Sequence, residues 1–154
     1  MKLEELIRCT GINPYHPATK EMQEKIDKFF GLSACSAYNG GIANAYIYIP
    51  YSEEIERISN LKSDMLPFEC CCVHGGVTYG GVVEGIPPQV HCPYSKVLTE
   101  EEWTAKYIVV GWDTNHCNDT WDTWTYKTLI EENEQLANQI LEIINKELTF
   151  KDKE

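Results

Sequence analysis

Three acids and an imidazole recur at every third position in one short stretch of the chain: Asp113, His116, Asp119 and Asp122. Three indoles, Trp112, Trp121 and Trp124, stand among them. A second stretch, Cys70-Cys-Cys-Val-His-Gly-Gly-Val-Thr-Tyr-Gly-Gly81, delivers His74 into a glycine-flanked turn. Imidazole is the side chain that takes or gives a proton near neutrality, and a carboxylate beside it orients the ring or balances its charge. The same donors suit a divalent metal ion of the Zn²⁺ or Mn²⁺ kind, held with one position open for water. We expect the two tips to converge, so that His74, Asp113, His116 and Asp119 form one cluster that either binds such an ion or works metal-free, with one imidazole as base and the other as acid. The plainer alternative is that Asp113 and Asp119 cap turns and His116 is a satisfied surface residue.

Both tips need rigid supports. Tyr107 to Val110 is a β-branched and aromatic run that reads as a buried strand, with Gly111 marking its end. Ile42 to Pro50 alternates isoleucine with tyrosine as a strand does, and Pro50, which lacks a backbone donor, points to an edge or a strand end. Pro67 to Val73 also has strand character. The glycine pairs Gly75-Gly76 and Gly80-Gly81 bracket Val77-Thr-Tyr79, as in a twisted hairpin whose backbone can come close to a ligand. Helices are expected over Leu3 to Ile7, Thr19 to Phe30, Ser52 to Met65 and, briefly, after the Thr99-x-x-Glu102 capping box. The clearest helix closes the chain, starting at Thr128-Leu-Ile-Glu131 and carrying the stripe Leu136, Ile140, Ile143, Ile144 and Leu148. The fold class is therefore α+β. One twisted, mainly antiparallel sheet should be packed by a helix from the N-terminal half and by the long C-terminal helix.

At 154 residues the chain reads as a single domain, 1–154, with an N-terminal segment over 1–17 and a solvated tail over 151–154. A chain of this size buries roughly 70% of its unfolded surface and needs no metal or disulfide to hold it together. The formal charge is −11, from thirteen basic and twenty-four acidic side chains. That balance excludes duplex nucleic acid bound through phosphate neutralisation, which needs a basic face. Between Ser63 and Tyr126 the only Lys or Arg residues are Lys96 and Lys106, so a phosphate-bearing ligand would need a metal ion, backbone amides or a second subunit. Neither a transmembrane run of ~20 apolar residues nor a signal-peptide core is visible, which places the protein in a cytoplasm without membrane contact. The seven cysteines include no C-x-x-C pair, and the default reading is reduced, packed thiols. Three of them, Cys70 to Cys72, would alternate in direction on a strand and could not share a metal. There is no G-x-S-x-G, Walker lysine loop, dinucleotide fingerprint or H-E-x-x-H.

The segments Val73-His-Gly-Gly-Val-Thr-Tyr79 and Val110-Gly-Trp-Asp-Thr-Asn-His-Cys-Asn-Asp119, with the strand ending at Pro50 and the final helix, resemble a family of small proteins encoded by bacteriophages and prophages. That family carries HGGLTY and GFDxxHxGD at these places; here Val77 replaces Leu, Trp112 replaces Phe and Asn118 replaces Gly. The resemblance spans roughly residues 39 to 141. Carried over residue by residue, the family's polar positions fall on His74, Thr78, Tyr79, Asp113, His116 and Asp119. The resemblance implies a protein that counters host immunity in an infected bacterial cytoplasm. Such proteins target nucleotide signals, either cyclic oligonucleotides or cyclic ADP-ribose derivatives. On this reading the cluster hydrolyses the nucleotide as a phosphodiesterase would, with Trp112 and Tyr79 stacking the base and Gly75, Gly76 and Thr78 completing the ligand-binding set. Two other readings stay open: a homo-oligomeric sponge that sequesters the nucleotide, and an acidic inhibitor that occupies a basic host protein.

Overall fold

The alternation in the 40s builds the centre of the molecule. The computed structural model describes residues 1–12, 43–62, 65–87, 90, 98–114, 116, 119, 124 and 126–152. Strand β1 (Ile7–Ile12) pairs antiparallel with β2 (Ala43–Pro50), and β2 pairs antiparallel with β4 (Lys106–Asp113). On the far side of β4 lies β3 (Tyr79–Glu84), also antiparallel, giving the order β1-β2-β4-β3. Pro50 thus ends a central strand, where its missing donor costs no ladder bond.

Strand alternation sends Ala45, Ile47, Ile49, Ile108, Val110 and Trp112 to one face, where they pack with Leu129, Leu136, Ala137, Ile140 and Ile144 of the long helix α3 (Tyr126–Asp152). Helix α1 (Glu53–Ser59) adds Ile55 and Ile58 to that core. It starts where Ser52 Oγ accepts from the Ile55 N–H at 3.1 Å, and three glutamates in its first turn favour the helix dipole. The opposite face carries Cys9, Tyr48, Tyr107 and Val109, covered by Ile86, Val90 and Leu98. Between them is the short helix α2 (Glu100–Thr104), capped by the Thr99–Glu102 box as expected. The fold is α+β, and among the described residues no helix is long and apolar enough to cross a membrane.

Several expectations are corrected. Only Leu3–Glu5 is helical at the start, as a single 3₁₀ turn; Ile7 already belongs to β1, and Gly11 lies inside that strand. Pro67 to Val73 is a series of turns, closed by Glu69 N–H to Leu66 O (3.2 Å) and Cys71 N–H to Phe68 O (3.0 Å). Phe68 and Cys71, both buried, are three apart, the spacing of a turn and not the two-residue repeat of a strand. Gly111 does not end its strand. It sits opposite Tyr46 and Tyr79, and a Cβ placed there would lie 3.0 Å from the Tyr46 ring and 3.3 Å from Tyr79 Cβ. Helix α3 begins at Tyr126, so Thr128 lies inside it and not at its N-cap. Cys9 is disulfide-bonded, against the reading of uniformly reduced thiols, whereas Cys70, Cys71 and Cys72 are free. The helix expected over Thr19 to Phe30 lies outside the described residues.

Candidate functional site

The two tips meet. Strand β4 carries Trp112 and Asp113 to its end, and the chain then closes a turn in which the Asp119 N–H donates to His116 O at 2.9 Å. That turn folds the Asp119 carboxylate back on its own start: Oδ2 accepts from the His116 N–H at 2.9 Å and lies 2.8 Å from His116 Nδ1. Spacing of three residues across one turn is what brings these groups together. The other tip is set by the turn that ends with Gly76 N–H donating to Val73 O (2.8 Å), while Glu132 of α3 accepts from the His74 N–H at 3.0 Å. Held so, His74 Nε2 lies 2.8 Å from Asp119 Oδ1, and the two imidazole centroids are 5.0 Å apart.

Asp119 is the hub. Its side chain is 4% exposed, and Oδ1 also accepts from Trp124 Nε1 at 2.9 Å. Burial alone would raise its carboxyl, but the His116 backbone N–H, the Trp124 indole, the His116 ring and the charge of His74 outweigh this and hold it below its ordinary value. A carboxylate at Oδ2 fixes the His116 proton on Nδ1 and leaves Nε2 as an acceptor. That nitrogen lies 3.3 Å from Asp113 Oδ1, within ion-pair distance. His74 Nε2 is buried and, although close to Asp119 Oδ1, is off the line a hydrogen bond requires, so it has no hydrogen-bond partner. One donor atom each from His74, His116 and Asp119 lies within 4.8 Å of the others, and the cluster can hold a metal ion. An orphaned imidazole nitrogen, a second imidazole and a carboxylate are the donor set of a zinc-class ion. His74 and His116 remain 32% and 37% exposed, so each ring keeps an edge toward solvent while His74 Nε2 and Asp119 are buried.

The aromatic walls divide in a way the sequence did not anticipate. Trp112 is 1% exposed, donates from Nε1 to Asn133 Oδ1 (3.2 Å) and packs at 5.3 Å from Trp124; it offers no free face to a ligand. Tyr79 pairs with Gly111, the neighbour of Trp112, and so projects from the opposite face of the sheet, 53% exposed and edge-on to Tyr46. Trp112 and Tyr79 therefore cannot clamp one base between them. The ring that covers His74 is Trp124, with centroids 4.5 Å apart.

Gly75 and Gly76 both have positive φ, at 68° and 82°. Gly75 has a second reason to be glycine: a Cβ there would lie 2.4 Å from His116 Cε1. Two amides counted on to bind phosphate are spent inside the protein, Gly76 on Val73 O and Thr78 on Gly111 O. The residues missed at the sequence level are the polar hooks of α3. Asn133, buried to 1% exposure, accepts from Trp112 and donates to Tyr46 O at 3.2 Å. Glu132 holds His74, and Gln139 clamps Cys72 through both its N–H (2.8 Å) and its carbonyl (2.7 Å). The legible signal was Asn133 itself, a polar residue within the stripe of Leu129, Leu136 and Ile140.

No family model, curated protein or solved structure matches the chain.

Proposed function

We propose that the chain is a phage counter-immunity protein that hydrolyses a nucleotide immune signal, of the cyclic oligonucleotide or cyclic ADP-ribose type, at the His74–Asp119–His116 cluster. One observation carries the chemistry: a buried carboxylate contacts two imidazoles that each remain about a third open to solvent. In this reading His116 Nε2 takes the proton of an attacking water with Asp113 beside it, Asp119 stabilises the imidazolium that results, and His74 returns a proton to the leaving oxygen. A divalent ion on His74, His116 and Asp119, with Asp113 at its margin, would supply an activated water and neutralise phosphoryl charge that the few nearby lysines leave unopposed. Sequestration through glycine-loop amides is the weaker reading, because the Gly76 and Thr78 amides are already committed.

The test is incubation with a panel of cyclic nucleotides, followed by heat release and chromatography of the supernatant. The expected result is a cleaved product that disappears with His116→Ala and, if an ion is involved, with chelator. Recovery of intact nucleotide would replace hydrolysis with sequestration. Absence of any binding would leave the acidic inhibitor of a host protein.

A further inference from the structure

Strand β3 lies at one side of the sheet, with β4 on its inner flank and no described strand on its outer one. Its main chain can be assigned residue by residue. Gly85 N–H donates to Ala105 O at 2.7 Å, which continues the β3–β4 register. In an antiparallel ladder the bonds alternate, so Tyr79, Gly81 and Val83 aim their backbone groups at β4, and Gly80, Val82 and Glu84 aim theirs away from it. The strand is also unusually apolar for an edge. Tyr79 (53%) and Val82 (43%) are two of the large hydrophobic residues left exposed, and Glu84 is the only charged side chain in the strand. The strand itself contains neither lysine nor proline, the usual protections of an open edge, and Pro67 packs beside Gly80.

We propose that β3 pairs antiparallel with β3 of a second copy, about a two-fold axis through Val82, to make one continuous sheet across a homodimer. Side chains directly opposite must share a face, so the register has to be even, and the outward set Gly80, Val82 and Glu84 must face itself. Centring on Val82 meets both conditions. Val82 then lies opposite its own counterpart, Gly80 opposite Glu84, and Gly81 opposite Val83. Each bulky residue off the axis meets a glycine, and the two Glu84 carboxylates stand at opposite ends of the pair. About six main-chain bonds would form. Each copy carries a formal charge of −11, so association should tighten as salt screens the repulsion. The pairing rests on β3 and the proposed chemistry on the cluster around Asp119, so the two stand or fall separately.

Sedimentation equilibrium of the full chain at high micromolar concentration and moderate salt tests the proposal. The wild type should dimerise, Val82→Pro should weaken the dimer at least tenfold with an unchanged far-UV spectrum, and Val82→Thr should keep it. A monomeric wild type, or a dimer equally tight with Val82→Pro, overturns the pairing. Should the proline variant fail to fold, hydrogen exchange in the wild type decides. Exchange at Val82 and Glu84 must slow as protein concentration rises, and concentration-independent exchange refutes the pairing.

Discussion

Asp119 makes the sharpest residue-level prediction, since one carboxylate accepts from the His116 backbone N–H and the Trp124 indole and lies beside both imidazoles. Asp119→Asn keeps the shape but removes the charge and presents a donor where Trp124 and His116 expect an acceptor. It should cost about 2–3 kcal/mol in urea unfolding, the range for hydrogen bonds to a charged group. Because the folded carboxyl lies below its ordinary value, its contribution is full above the unfolded value of about 3.9 and is lost as pH falls through the folded one. The gap in urea midpoint between wild type and variant should therefore be present at neutral pH and shrink as pH falls below about 4; a gap that keeps widening below about pH 4 would refute the assignment. The neighbouring glycines form a natural pair. Gly75→Ala and Gly76→Ala each force an L-residue into the left-handed region at about 1 kcal/mol. Only Gly75→Ala also collides with the His116 ring. Thermal melts should rank Gly75→Ala clearly below Gly76→Ala, and NMR of the His116 ring should move in the first alone.

At the scale of elements, α3 is both a core helix and a bracket for the site. Asn133→Leu matches the surrounding stripe in size and polarity, yet it strands Trp112 Nε1 in a buried setting and removes one of the donors to the Tyr46 carbonyl. The expected loss is about 1–3 kcal/mol, the cost of one buried unsatisfied donor, partly offset by apolar burial. A stabilised variant would show that those bonds are not made. The turns over Pro67 to Val73 predict graded thiol chemistry. Cys70 and Cys72 are exposed, whereas burial, with its cysteine neighbours, pushes the Cys71 thiol up to about 12. A disulfide reagent should label Cys70 and Cys72 in the native protein and Cys71 only on unfolding.

These elements also mark what could be read from sequence. The alternation of Ile47 and Ile49 with Tyr46 and Tyr48, the Thr99 box and the stripe of α3 were legible because each obeys a local period or cap. The convergence of His74 with His116 was legible as two similar tips. Pro67 to Val73 was misread because a run of apolar residues and thiols has no period of its own, and its turns are fixed by long-range partners such as Gln139 and Ser59. The fate of Trp112 was hidden for the same reason: alternation says that it and Gly111 face opposite ways, but not that α3 seals one side.

For the whole molecule, the disulfide at Cys9 bears most directly on where the protein works. Cys9 is fully buried on β1, at the centre of the second core cluster. Under thiol reductant the protein should lose about 2–4 kcal/mol of stability if that bond is shut in its working state. An unchanged melt would show that the bond contributes nothing to the stability of the fold.

Trp124 donates its indole N–H to the same carboxylate that both histidines approach, and its ring lies against His74. An indole so placed changes its emission whenever the neighbouring imidazole gains a proton, takes up an ion or shifts position. The molecule thus carries its own optical gauge for whatever enters the cluster, and titrations of zinc, acid or nucleotide can be followed without attaching a dye.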